Sequence, residues 1–309
     1  MRIGVHVCAG PVLLYAVRGA GNRDRLRVRF PPEAYLIGAA KAGTTSLAEL
    51  LDQHPRIVVS KPKEPHFFTA NWERGLDWYA RCFPGDETAL LLDASTSYAG
   101  APITREGLRT SRMNDVPARI HALRPDAKFI YILRDPVSRT YSSYWHAVRA
   151  GWEKRPFDEV LDEDSGYIRG SCYYRQIEHY LQYFDLTMFL FLEFRDLAKD
   201  PIETARKCVL FLKVDSVDHA FHLGSAKNKS FQYNPAGARL QKLVGGPRHM
   251  KLIWRTVKKL APATLQTLLK DVVSKDIPPL SESQKQRLTE YFRADAKKLH
   301  ALTGINVLP

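Results

Sequence analysis

The chain has 309 residues, 45% of them hydrophobic, and a formal net charge of +13. That much apolar material excludes a disordered chain or a small disulfide-stapled module and allows a sizeable core. The basic excess favours anionic partners such as nucleotides, acidic glycans, nucleic acid or anionic lipid, and by itself says nothing about fold.

Residues 3–17, IGVHVCAGPVLLYAV, are apolar but interrupted by His6, Gly10 and Pro11. This run is shorter than the roughly 20 residues a spanning helix needs. Arg2 precedes it, as in a signal peptide, yet no small-x-small cleavage site follows. Residues 1–30 are therefore read as an N-terminal extension, with a signal or anchor as the alternative. Pro31-Pro32 marks the boundary, and residues 31–309 are read as a single domain.

From Tyr35 onward the pattern alternates between strands and helices. Tyr35 to Gly38 is a short apolar run ending in glycine, and Thr44 to Gln53 carries Leu47, Leu50 and Leu51 at helical spacing before His54-Pro55 ends it. Between them lies 38-GAAKAGTTS-46. In the nucleotide-triphosphate loop the lysine follows the last glycine; here Lys41 precedes Gly43, and Thr44, Thr45 and Ser46 follow it directly. Glycines that turn backbone N–H groups inward, hydroxyl donors and the positive end of a helix together make an anion site.

Further strands are predicted at 89–93, 128–134 and 188–194, with helices near 114–124, from Pro136 to about Arg149, and at 171–184 and 201–212. Near-continuous apolar strands separated by helices imply an α/β fold with a P-loop-type parallel sheet flanked by helices on both faces. Ligands of such sheets bind beyond the carboxyl ends of the strands, where the polar features of this chain lie. Arg134 ends one strand, Asp135-Pro136 opens a helix, and Ser142 stands two turns in. Arg134 is placed to hold a phosphate as a fork with Ser142 adding a hydroxyl, and Arg139 either assists or is a solvated helix residue. Asp93, at a strand end, imitates a metal-holding aspartate. The loop lacks the lysine–hydroxyl order of a kinase, so no metal is expected, and a kinase-like phosphotransferase is the alternative.

At these residues the chain resembles the sulfotransferases that use 3′-phosphoadenosine 5′-phosphosulfate, most closely the heparan-sulfate and related carbohydrate branch. The resemblance extends through 54-HPRIVVSKPKEPHFFTANWERGLDWYARCFP-84 and, more loosely, 226-AKNKSFQYNP-235. It implies that Lys41, Ala42, Gly43, Thr44, Thr45 and Ser46 hold the 5′-phosphosulfate and that Arg134 and Ser142 hold the 3′-phosphate. It also implies that Glu64 removes the acceptor proton, with His66 as the alternative base, because another branch uses histidine. Tyr173, Asn228 and Lys229 are the weaker cofactor candidates. The implied acceptor is a glycan or glycolipid, and a non-catalytic membrane- or glycan-binding protein on the same fold is a further alternative. Two departures bear on the acceptor: Thr69 stands where some glycan enzymes have an acid, and 93-DASTSY-98 lacks a lysine that some carry. Lys61 and Lys63 are the loop cations available to compensate.

From His219 to Lys270 there is no Asp or Glu but ten Lys and Arg. Within it, 249-HMKLIWRTVKKL-260 puts Met250, Ile253, Trp254, Val257 and Leu260 on one helix face and Lys251, Arg255, Lys258 and Lys259 on the other. Such a helix either packs its apolar face on the domain or lies on an anionic membrane. No nucleic-acid recognition motif is present, so nucleic acid is not an expected partner. Residues 281–302 read as an amphipathic packing helix, capped by Ser281, striped by Leu288, Tyr291, Phe292, Leu299 and Leu302, and stopped by Gly304. Cys8, Cys82, Cys172 and Cys208 have no metal-ligand spacing. Free thiols in a reducing compartment are expected, with a Cys82–Cys172 bridge as the alternative. The expected location is cytoplasmic, at most peripheral to a membrane, the other possibility being a lumenal or anchored form.

Overall fold

A computed structural model describes residues 30–85, 88–100, 116–162, 165–214, 219–223, 232–262 and 272–308, together with 265 and 268. Residues 1–29 of the N-terminal extension, with Cys8 among them, and Asn228 and Lys229 lie outside the described residues. In chain order the elements are β1 (Ala34–Gly38), α1 (Thr44–Leu51), β2 (Ile57–Val59), α2 (Gly75–Ala80), β3 (Leu90–Asp93), α3 (Val116–Leu123), β4 (Lys128–Leu133), α4 (Pro136–Ala150) and α5 (Gly166–Arg169). They continue with α6 (Tyr173–Tyr180), β5 (Phe189–Glu193), α7 (Phe194–Lys199), α8 (Pro201–Leu212), β6 (Gln232–Tyr233), α9 (Pro235–Leu243), α10 (Pro247–Leu260), β7 (Ser274–Lys275) and α11 (Glu282–Thr303). The chain divides into two compact units, 1–134 with 173–223 and 135–172 with 224–309.

The first unit is built on a five-stranded sheet of order β2-β3-β1-β4-β5. All four pairings are parallel, and helices flank the sheet, as the alternating apolar runs require. Every residue of β1 is buried, which suits a central strand covered on both faces. The register between β1 and β4 shifts after Leu36, and the Ala39 N–H then pairs with the Ile132 carbonyl at 2.9 Å. This carries the loop after β1 along the end of β4. Beneath it, Phe67 stacks on Tyr79 with ring centres 4.1 Å apart, and Tyr35 packs against Phe68, Tyr98 and Phe129. All six are essentially buried. Burying each such ring contributes roughly 1.5–3 kcal/mol. Segment 219–223 is tied to the end of α1, where Gln53 Nε2 donates to the His222 carbonyl and its Oε1 accepts the His222 N–H, at 3.0 and 2.8 Å.

In the second unit α4 starts as the sequence predicts. The Asp135 carboxylate accepts the N–H groups of Val137 and Ser138, and Pro136 occupies the first turn. Arg139 is not solvated. It is buried, and its Nη1 donates to the Tyr167 carbonyl at 3.0 Å and to Ser171 Oγ at 3.2 Å. It is an internal strut, because a guanidinium taken out of water needs such acceptors. The apolar core joins Val137, Tyr144, Phe157 and Ile168 to Leu288 and Phe292 of α11. That helix carries the Ser281–Gln284 capping box and ends at left-handed Gly304. The ribbon of β6 with β7 is too short to leave a sequence signal. On α10 the inward stripe is narrower than the wheel suggests: Met250 is buried and Trp254 and Val257 partly so, while Ile253 is 41% exposed. The four basic side chains assigned to its other face lie outside the described residues. Cys82, Cys172 and Cys208 are buried free thiols, so the alternative Cys82–Cys172 bridge is not formed. Among the described residues no helix is long and apolar enough to cross a membrane.

Candidate active site

The loop after β1 is shaped by two left-handed residues, Lys41 at φ 73° and Gly43 at φ 82°. Gly43 serves both as the positive-φ turn and as the N-cap of α1, and a Cβ there would sit 2.8 Å from Leu197 Cδ2. At Gly38 the demand is steric, since a Cβ would come within 2.9 Å of the Tyr131 ring. The first turn of α1 holds no acidic residue and its N-cap offers no side-chain cap. With Lys41, the hydroxyls of Thr44, Thr45 and Ser46, and the helix dipole, this donor set fits an anion such as a phosphosulfate. Thr44 is buried; Lys41, Thr45 and Ser46 are partly exposed.

Arg134, the residue after β4, reaches this loop directly. Its Nη1 donates to the Lys41 carbonyl at 2.6 Å, and its guanidinium lies 4.7 Å from the centre of the Phe194 ring. The Arg134 carbonyl accepts the Tyr173 hydroxyl at 2.8 Å. Tyr173 itself is fully buried, so it holds the backbone of Arg134 in place rather than lining an open surface.

The Glu64–His66 segment stands beside the same loop. Lys63 Nζ donates to Glu64 Oε1 at 2.9 Å and to Thr44 Oγ1 at 3.3 Å. The second Glu64 oxygen accepts the Thr96 hydroxyl at 3.0 Å and lies 3.6 Å from His66 Nε2. Burial raises the Glu64 carboxyl pKa, but the Lys63 charge, the Lys63 and Thr96 hydrogen bonds and the His66 charge outweigh it. The net effect holds Glu64 below the usual carboxylate range. His66 has a left-handed backbone, φ 51°, and its carbonyl accepts the N–H groups of Thr69, Ala70 and Asn71. Its N–H donates to Ser95 Oγ, and its Nδ1 lies 2.8 Å from Ser97 Oγ. Thr69 Oγ1 completes the chain 3.0 Å from Ser97 Oγ. Strain of this kind persists only where neighbours over-determine it.

The turn after β3 supplies those neighbours, and Asp93 anchors it. Its Oδ2 accepts the hydroxyls of Tyr79 and Tyr98 at 2.6 and 2.7 Å, and its Oδ1 accepts the Ser95 N–H at 2.9 Å. Burial raises the Asp93 carboxyl, and these bonds to Ser95, Tyr79 and Tyr98 offset it only in part. Both oxygens are committed to protein donors, in place of the metal-holding role its strand-end position imitates. Among the described residues no group of His, Cys, Asp and Glu is arranged to hold a metal ion.

The structure thus brings together Lys41, Gly43, Thr44, Glu64, His66 and Arg134, all in the first unit. Ser142 is buried on α4 in the second. Sequence reasoning missed Thr96 and Ser97 and treated Lys63 only as a spare loop cation. The available signal was the polar run DASTS at the carboxyl end of a buried strand.

Comparison with known proteins identifies the family. A sulfotransferase domain model matches residues 31–242. Heparan sulfate glucosamine 3-O-sulfotransferase 6 of Homo sapiens is 29% identical over 309 residues, covering 97% of this chain and 78% of its own length. Heparan sulfate glucosamine 3-O-sulfotransferase 3B1 of Homo sapiens is 26% identical over 283 residues, covering 88% of this chain and 63% of its own length. A crystal structure of a sulfotransferase from Alicyclobacillus acidocaldarius shares the fold, with a TM-score of 0.62 at 24% identity over 88% of this chain and 96% of that one. The chain belongs to the sulfotransferase family.

Proposed function

We propose that the protein transfers a sulfuryl group from 3′-phosphoadenosine 5′-phosphosulfate to a hydroxyl or amine of a glycan. One observation carries this reading: Arg134 Nη1 donates to the Lys41 carbonyl, which joins the two motifs that would hold the two phosphorylated ends of one nucleotide. The nucleotide supplies an activated sulfuryl group. Lys41, Thr44, Thr45, Ser46 and the start of α1 would hold its 5′ end, and Arg134 its 3′-phosphate. Lys41 offers an ammonium where negative charge develops. Glu64, held ionised by Lys63 and Thr96, accepts the acceptor proton, and His66 orients from the Ser97 side. The names of the relatives support a glucosamine-containing glycan as acceptor. Incubation with labelled donor and a panel of sulfated and unsulfated glycans tests this. Label transfer by wild type that persists in chelator and is lost in Lys41→Ala supports the proposal; no transfer to any member argues against it.

A second reading concerns the acid-free stretch. Leu243 and Leu252 are 84% and 59% exposed and Ile253 is also exposed, in a stretch that carries ten Lys and Arg. Exposed leucines among cations suit an anionic membrane surface, with 249–260 lying on it, better than a polysaccharide. Sedimentation with phosphatidylserine vesicles decides between them. Binding lost in Leu243→Glu/Leu252→Glu supports membrane contact; retention by that variant favours plain charge attraction.

A further inference from the structure

The base and the donor loop share one cation. Lys63 Nζ lies 2.9 Å from Glu64 Oε1 and 3.3 Å from Thr44 Oγ1. Thr44 opens α1, the helix whose start faces the proposed 5′ end of the nucleotide. The Lys63 side chain is only 24% exposed and Glu64 30%, so the pair is screened less than a surface ion pair would be. Glu64 is also fixed from its other oxygen by Thr96, with His66 Nε2, the second titratable group facing it, 3.6 Å from that oxygen, and the turn carrying Thr96 is anchored through Ser95 on buried Asp93. The carboxylate therefore does not swing freely to follow the ammonium.

We propose that Lys63 is a positioning residue that couples donor binding to the proton affinity of Glu64, through an ammonium shared between that carboxylate and the anion held at Thr44. The inference rests on the reading of the loop and of Glu64 given above and adds the link between them. Two anions that draw on one cation oppose each other. An anion at the start of α1 competes with Glu64 for Lys63 and lies close to its charge, so it raises the affinity of Glu64 for a proton. By reciprocity, protonated Glu64 favours the anion. The consequence suits the chemistry, since a carboxylate held below its usual range is a weak base, and filling the loop makes it a stronger one.

Calorimetric titration with adenosine 3′,5′-bisphosphate, in buffers of different ionisation enthalpy at about pH 5, reads the link without turnover. Wild type is expected to take up more protons on binding than Glu64→Gln, which removes the ligand's own titration from the comparison. At neutral pH, Lys63→Met is expected to weaken binding roughly tenfold, and Glu64→Gln to tighten it several-fold. Lys63→Arg should retain the proton difference. Opposite signs for neighbouring substitutions are not produced by a structural role. Equal proton uptake by wild type and Glu64→Gln overturns the coupling, and that comparison needs no Lys63 variant to fold. Wild-type affinity in folded Lys63→Met overturns it as well. If wild type binds no bisphosphate, the nucleotide reading itself fails and the coupling with it.

Discussion

The turn at 93–98 and the helices α9 and α10 spend their side chains in opposite ways. In the turn, Asp93 takes three donors, Thr96 holds Glu64, and Ser97 sits between His66 and Thr69. On α9 and α10, Leu240, Leu243, Leu252 and Ile253 stand open to solvent, and Asn234 caps α9 through the Gly237 N–H. The contrast teaches where geometry is required. A base must be held within a fraction of an ångström of its productive place by partners that are themselves locked. Leucines that stand open to solvent are under no such demand.

If the turn exists to hold the base, the largest effect comes from the base itself. Glu64→Gln should lower turnover of labelled donor by about 10²–10⁴-fold with little change in melting temperature. Full activity would remove Glu64 from its role and leave His66 as the candidate. Next, Asp93→Ala leaves the Tyr79 and Tyr98 hydroxyls buried without their acceptor. It should cost about 3 kcal/mol of stability by denaturant unfolding, and nucleotide affinity in the fraction that remains folded should change little.

Thr96→Val sharpens the comparison through pH. Glu64 is depressed in the folded chain, so its contribution to stability is present above the unfolded carboxylate pKa and is lost as pH falls through the folded one. On the proposed role of Glu64 as the base, the same ionisation sets the acid limb of kcat/KM. Without the Thr96 hydrogen bond the folded pKa rises, so the acid limb should move to higher pH while the alkaline limb stays in place. An unmoved acid limb would show that Thr96 is packing only. The smallest effect belongs to the other region. Leu243→Glu should change stability by less than about 0.5 kcal/mol, since 84% of the residue already faces solvent. Marked destabilisation would mean that this leucine is part of a packed core.

The sheet, the start of α4 at Asp135-Pro136 and the capping box of α11 were legible because each rests on a local pattern: apolar runs, a proline in the first turn, a serine three residues before a glutamine. The approach of Arg134 to the Lys41 carbonyl was legible only through the order of motifs at strand ends. The solvated alternative for Arg139 and the inward placement of Ile253 fail for one reason. A helical wheel gives the angle of a side chain but not the neighbour it meets, and Arg139 meets the Tyr167 carbonyl from 28 residues away. Thr96 and Ser97 were invisible as site residues because their partners, Glu64 and His66, are about 30 residues distant along the chain. Short hydroxyl side chains carry no signature until the sheet brings them together.

The central claim is that Lys41 and Arg134 serve one nucleotide bearing phosphate at both its 3′ and 5′ positions. Paired calorimetric titrations with adenosine 3′,5′-bisphosphate and adenosine 5′-monophosphate test it most directly. Wild type should bind the bisphosphate at least roughly tenfold more tightly, the value of about one charge-assisted hydrogen bond, and Arg134→Ala should bring the two affinities together. Equal affinities in the wild-type protein would contradict the account.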